Sequence, residues 1–110
     1  MIIALPTVDK TENTKVSEHF GRSNCFFFYD TDQKTFEVIE NKNKDGQGGV
    51  GIKSSEFILD KNTDVLITPR LGEKALRVIK DSGVTIMKTV DKTALENIEL
   101  YFKGELEGLF

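Results

Sequence analysis

Cys25-Phe26-Phe27-Phe28-Tyr29 and Thr35-Phe36-Glu37-Val38-Ile39 flank Asp30-Thr31-Asp32-Gln33-Lys34, and this stretch decides the fold. Aromatic and β-branched residues suit a half-buried pleated surface, and a short polar segment between two such runs closes a β-hairpin. Asp30 and Asp32 are accounted for as turn residues rather than as a metal-binding pair. Upstream, Ile2-Ile3-Ala4-Leu5 is a short apolar run closed by Pro6, which reads as a buried central strand. Residues 7–18 between them are polar and read as an exposed loop.

Downstream of the hairpin the hydrophobic period changes. Residues 41–49 form a polar, glycine-containing loop that leads into a helix over about 49–60, with positions 50, 54, 57 and 58 on its buried face. Asp64-Val65-Leu66-Ile67-Thr68 is another short strand. Leu71, Ala75, Val78, Ile79 and Ser82 recur at helical spacing until Gly83. Val84-Thr85-Ile86-Met87-Lys88 alternates as a last strand. A helix over about 92–103 then places Leu95, Ile98 and Phe102 on one side. The order β-β-β-α-β-α-β-α implies an α/β fold: a mixed five-stranded sheet flanked by helices. With the third strand parallel to the first, residues 6–23, 41–49, 68–72 and 89–91 converge at one sheet edge. That is where ligands of open α/β sheets bind.

Composition narrows the function. The 110 residues make one ordinary domain, and eight Phe and two Tyr within a 38% hydrophobic content are enough for a core. With 15 basic against 18 acidic residues, no basic excess is available to grip nucleic acid through its phosphates. No apolar run is long enough to span a membrane, and the first residues lack the pattern of a signal peptide. A single cysteine fits a reducing, cytoplasmic setting. One His and one Cys cannot supply the four N/S ligands of a structural zinc site.

Three segments at the convergent edge can carry chemistry. Ser17-Glu18-His19-Phe20-Gly21-Arg22 holds the sole histidine between an aromatic and a tight glycine turn, with a fixed cation beside it. Imidazole is a good ligand for iron and can relay protons; a turn cap at His19 and a core-end plug at Phe20 account for the same residues. Gly46, Gly48, Gly49 and Gly51 free the backbone just where a helix starts, which favours an anion, although a flexible connector has the same composition. No Gly-Lys-Ser/Thr follows, so this is not a P-loop. Arg70, after the fourth strand, can aim a fork of donors at the site or lie in solvent. Cys25 reads chiefly as a small buried hydrophobe.

Taken together, Ser17-Glu18-His19-Phe20-Gly21-Arg22 before an aromatic strand, then Asn41, Gly48-Gly49-Val50-Gly51 and Gly72, resemble the dinitrogenase iron–molybdenum cofactor biosynthesis domain. This is the domain of NifX, NafY and the C-terminal part of NifB. The resemblance spans residues 2–104 and Leu106. It implies a ribonuclease-H-like three-layer fold and a non-catalytic, cytoplasmic carrier of the iron–molybdenum cofactor or its iron–sulfur precursor. It also implies that His19 is the metal ligand, and that donor and acceptor proteins of the cluster are the partners. Ser17, Phe20, Gly21, Arg22, Gly46, Gly48, Gly49, Gly51 and Arg70 complete the expected cofactor-binding set.

A carrier suits the donor count, because a preformed cluster brings its own sulfur ligands and needs only one or two more. Glycine-loop amides with Arg22 and Arg70 would complement an anionic cargo. Two-metal nuclease chemistry is disfavoured: the first strand has no acid, and Asp64 stands at the wrong end of the fourth. A phosphate-type anion site indifferent to His19 is the alternative. An adaptor acting through the apolar tail Leu106, Leu109 and Phe110 is a further one.

Overall fold

The hairpin sits where the sequence puts it. In the computed structural model, which describes residues 1–109, β2 (Cys25–Asp30) pairs antiparallel with β3 (Thr35–Glu40), Phe27 facing Val38 and Tyr29 facing Phe36. Asp30 Oδ1 accepts the backbone N–H groups of Asp32 and Gln33 at 2.9 and 3.2 Å, so the turn itself employs this carboxylate. Strand β1 (Ile2–Thr7) pairs antiparallel with β2 and parallel with β4 (Val65–Thr68), and β5 (Thr85–Lys88) extends the sheet parallel to β4. The sheet order is β3-β2-β1-β4-β5, and helices α1 (Val50–Asp60), α2 (Glu73–Asp81) and α3 (Ala94–Phe102) complete the expected α/β arrangement.

The alternation of the pleat divides the core into two layers. Ala4, Phe26, Phe28, Leu66 and Ile86 pack on one face against Ile58 of α1 and Ala75 and Ile79 of α2. Ile3, Leu5, Phe27, Val65 and Ile67 pack on the other against Ala94 and Ile98 of α3. Each large side chain so buried contributes about 1.5–3 kcal/mol. In α1, Val50, Ser54 and Ile58 are buried and Phe57 is partly so, as the spacing predicts; buried Ser55 joins them, its hydroxyl donating to Gly51 O at 2.7 Å.

Several local expectations are corrected. Strand β1 does not stop at Pro6 but runs to Thr7. Its parallel register with β4 is confined to Ile3 and Ala4, whereas Pro6 still faces Phe26 of β2, so the missing proline N–H falls beyond the β4 ladder. Residues 7–18 are not wholly exposed. Thr14 is buried with its hydroxyl accepting the Asp9 N–H, and Ser17 is buried with its N–H donating to Pro6 O. Phe102 is 55% exposed, because α3 buries Ala94, Asn97 and Ile98 instead. Asn97 takes an inward position by binding the 90–93 loop, accepting from Val90 N–H and donating to Val90 O. In the second helix Ser82 is exposed and Leu71 precedes the first turn.

The tail folds back on the domain. Gly108 bridges antiparallel to Met87, and Lys88 N–H donates to Glu107 O at 2.7 Å, so the tail lines the outer edge of β5. Leu106 joins the α3-side core and Leu109 packs on the other; Phe110 lies outside the described residues. These contacts use Leu106 and Leu109 within the chain rather than presenting them to a partner. Strands β1, β3, β4 and β5 point the same way, so the loops at 8–24, 41–49, 69–72 and 89–93 meet at one edge.

Candidate functional site

Phe20 anchors the site. It is 4% exposed and meets Phe26 edge-on, with ring centroids 5.4 Å apart, so the loop that follows β1 is pinned to the α1/α2-side core. This geometry leaves its neighbour His19 exposed at the surface. Among the described residues, His19 is bonded through its backbone N–H to Ser17 Oγ at 3.1 Å, and its imidazole has no partner. Gly21 then passes against α1. A Cβ there would lie 3.1 Å from Gly51 Cα and 3.2 Å from Gly51 N, a backbone approach that glycine alone permits without displacement.

Two helices start beside this loop. Gly49 caps α1 in the left-handed region (φ 64°), Gly72 caps α2, and neither offers a side-chain cap. The first-turn amides of each helix therefore keep their donors for something else. The two starts adjoin, since a Cβ on Gly51 would stand 3.5 Å from that of Ala75. With the His19 loop they enclose a cleft of about 580 Å³.

Of the expected cofactor-binding set, His19, Phe20, Gly21, Arg22, Gly48, Gly49, Gly51 and Arg70 line this one cleft. Two do not. Ser17 is buried and borders a smaller groove of about 350 Å³ on the other side of Glu18, acting on His19 only through its hydroxyl. Gly46 supports the loop instead, its α-carbon so close that a Cβ would meet Val50 Cγ2 at 3.1 Å. Arg22 is partly engaged, with Nη1 donating to Lys44 O at 2.8 Å and its other donors left over.

The sequence reading passed over Lys74 and Glu73, which the start of α2 brings to the cleft wall. Gly72 before an amphipathic run was the available signal for them. Asn41, quoted in the family resemblance, and Ser54, expected on the buried face of α1, gave no sign there that they hold the His19 loop from behind. Their bonds to that loop span 18 to 33 residues, so no local pattern announces them.

The cleft wall carries the cations Arg22, Arg70 and Lys74 against Glu18 and Glu73, and Glu73 is also paired with Arg77 at 3.6 Å. Within a chain of net charge −3 this edge is a positive focus. Among the described residues, no group of three or more His, Cys, Asp and Glu side chains is placed to hold a bare metal ion. The donor set suits a preformed anionic group needing one imidazole and several N–H donors.

Cys25 is not part of the cleft. It is 5% exposed at the start of β2, opposite Thr7 and Glu40, and burial pushes its thiol above the usual range. Burial of this kind disfavours the thiolate that would ligate metal or attack disulfides. The native protein at pH 8 should react with an aromatic disulfide at least about tenfold more slowly than after denaturation, as absorbance would show.

The sequence model for the dinitrogenase iron–molybdenum cofactor family matches residues 1–104. The chain belongs to this family. Another match is the uncharacterized protein MJ0580 of Methanocaldococcus jannaschii, 34% identical over 110 residues, covering 97% of this chain and 90% of that protein. Among solved structures, a Thermotoga protein of the DUF35 family, proposed to be a NifB protein, superposes with a TM-score of 0.87 at 32% identity, covering 98% of this chain and 92% of that one. The apo orange protein of Desulfovibrio gigas shares the fold with a TM-score of 0.91 at 20% identity, covering 97% of this chain and 91% of its own. For this member of the dinitrogenase iron–molybdenum cofactor family, membership places the chain in metallocluster handling related to that cofactor. No helix among its described residues is long and apolar enough to cross a membrane.

Proposed function

We propose that the protein is a non-catalytic carrier that receives a preformed iron–sulfur or iron–molybdenum cluster from a donor protein and passes it to an acceptor in the cytoplasm. The observation that carries this reading is the convergence of one unpartnered imidazole, His19, with two helix starts that lack a side-chain cap, in a cleft of about 580 Å³. His19 supplies the single protein ligand, and neutral imidazole is a competent donor to iron. The amides of α1 and α2, together with Arg22, Arg70 and Lys74, offset the negative charge of the cluster without covalent bonds. Sparse ligation at an exposed edge suits a cargo that must leave again.

The test is an anaerobic titration with isolated iron–molybdenum cofactor, followed by absorbance, for the parent and His19→Ala. The parent should bind and the variant should lose more than about tenfold in affinity, since removing even groups that merely support a ligand costs that much. Stability should stay within about 0.5 kcal/mol, because the ring is exposed and unpaired. Equal binding by both proteins would withdraw His19 as ligand. The two glycine-capped helix starts favour a second reading, a phosphate-type anion held by amides and arginines alone. In that case inorganic phosphate competes and His19→Ala changes nothing.

A further inference from the structure

We infer that Asn41 and Ser54, which do not line the cleft, are positioning residues that lock the His19 loop onto the start of α1 and so set the affinity of the cleft for its cargo. Both are fully enclosed, 2% and 0% exposed. Asn41 Nδ2 donates to Gly21 O and to Ser23 O, each at 2.9 Å, and its Oδ1 accepts the Asn43 N–H at 3.0 Å. One side chain thereby fixes the loop carrying His19 and the first residues of the glycine-rich loop.

Ser54 supplies the second hold. A serine inside a helix ordinarily returns its proton to the carbonyl one turn back, as neighbouring Ser55 does to Gly51 O. Ser54 instead donates across to Gly21 O at 2.8 Å. Gly21 O therefore accepts from Asn41 and Ser54 together, which uses both of its lone pairs. The close pass of Gly21 over Gly51 lets the two donors reach it. The separation between His19 and the α1 amides is thus held before any ligand arrives. A receptor held in its bound geometry avoids an ordering cost on binding.

This inference rests on the carrier reading, and its experiment has two arms so that either can fail alone. Ser54→Ala removes one hold gently, and Asn41→Asp removes both Nδ2 donors at constant shape. Ser54→Thr restores the hydroxyl. Thr63→Val is the control, deleting a comparable buried bond (Thr63 Oγ1 to Ile58 O, 2.6 Å) at the far end of α1. In the first arm, amide exchange at His19 and Ser23 should quicken about tenfold in Ser54→Ala and stay parental in Thr63→Val, since one net hydrogen bond has that worth. In the second arm, isolated iron–molybdenum cofactor should bind Ser54→Ala about tenfold more weakly, with Ser54→Thr near parental and Thr63→Val unchanged.

Parental exchange in both Ser54→Ala and Asn41→Asp overturns the lock. Cofactor binding weakened as much by Thr63→Val as by Ser54→Ala reduces both residues to general stability and overturns it equally. If the parent binds no cofactor, the carrier reading fails, and the exchange arm still decides the lock.

Discussion

Phe20→Ala lowers the unfolding free energy by about 3–4 kcal/mol, the ordinary cost of emptying a phenylalanine site in a packed core. The residue is 4% exposed, its ring rests edge-on against Phe26, and its cluster draws on β1, β2, β4, β5, α1 and α2. Phe26, the ring next to the void, is itself in contact with Phe57 at 6.0 Å, which opposes collapse into it. For a domain of 110 residues this corresponds to a fall in Tm of roughly 10–20 °C. Denaturant unfolding measures it, with a lower midpoint at unchanged slope. The same substitution frees the loop carrying His19, so cargo binding should weaken at temperatures where the variant is still folded. A loss below about 1 kcal/mol would show that the ring is not the anchor of the loop.

Gly21→Ala is the second large effect, and it acts by crowding rather than by emptying. The added carbon would lie 3.1 and 3.2 Å from Gly51 Cα and N and 3.5 Å from Val50 C. All three are backbone atoms in the first turn of α1, so no side chain can rotate away, and the helix start or the loop must move. Overpacking of this sort costs about 1–3 kcal/mol. It also separates His19 from the α1 amides and strains the bonds that Asn41 and Ser54 make to Gly21 O. Gly48→Ala, where a Cβ meets nothing within 4 Å, should stay within about 0.5 kcal/mol of the parent. Amide shifts of Gly51 and Ile52 that move in the first variant and not in the second would locate the disturbance. Equal stability of the two variants would remove the close approach from the account.

The amino-acid sequence by itself determined the element order, because the hairpin from Cys25 to Ile39 and the change of period after it depend on local chemistry alone. Side chains alternating on a strand or recurring at helical spacing declare their own geometry. The edge at which the loops gather followed from strand direction, and with it the neighbourhood of His19, Arg22, the glycines and Arg70. Four residues lie otherwise than their polarity suggests. Thr14, Ser17 and Asn97 are polar residues that lie buried with hydrogen-bond partners two to seven residues away, and Phe102 is apolar yet exposed because α3 turns Ala94, Asn97 and Ile98 inward. Polarity alone does not keep a side chain at the surface where a hydrogen-bond partner is at hand.

Only the tertiary structure decided how the pieces of the site meet. That Gly21 runs against Gly51, that Gly72 opens a second helix beside the first, and that Lys74 joins the wall are consequences of packing α1 on α2. That Asn41 and Ser54 share one carbonyl depends on the end of β3, the second turn of α1 and the loop after β1 arriving together. Local sequence carries the residues of this cleft. The distances between them come from core contacts of long sequence separation, which no short motif encodes.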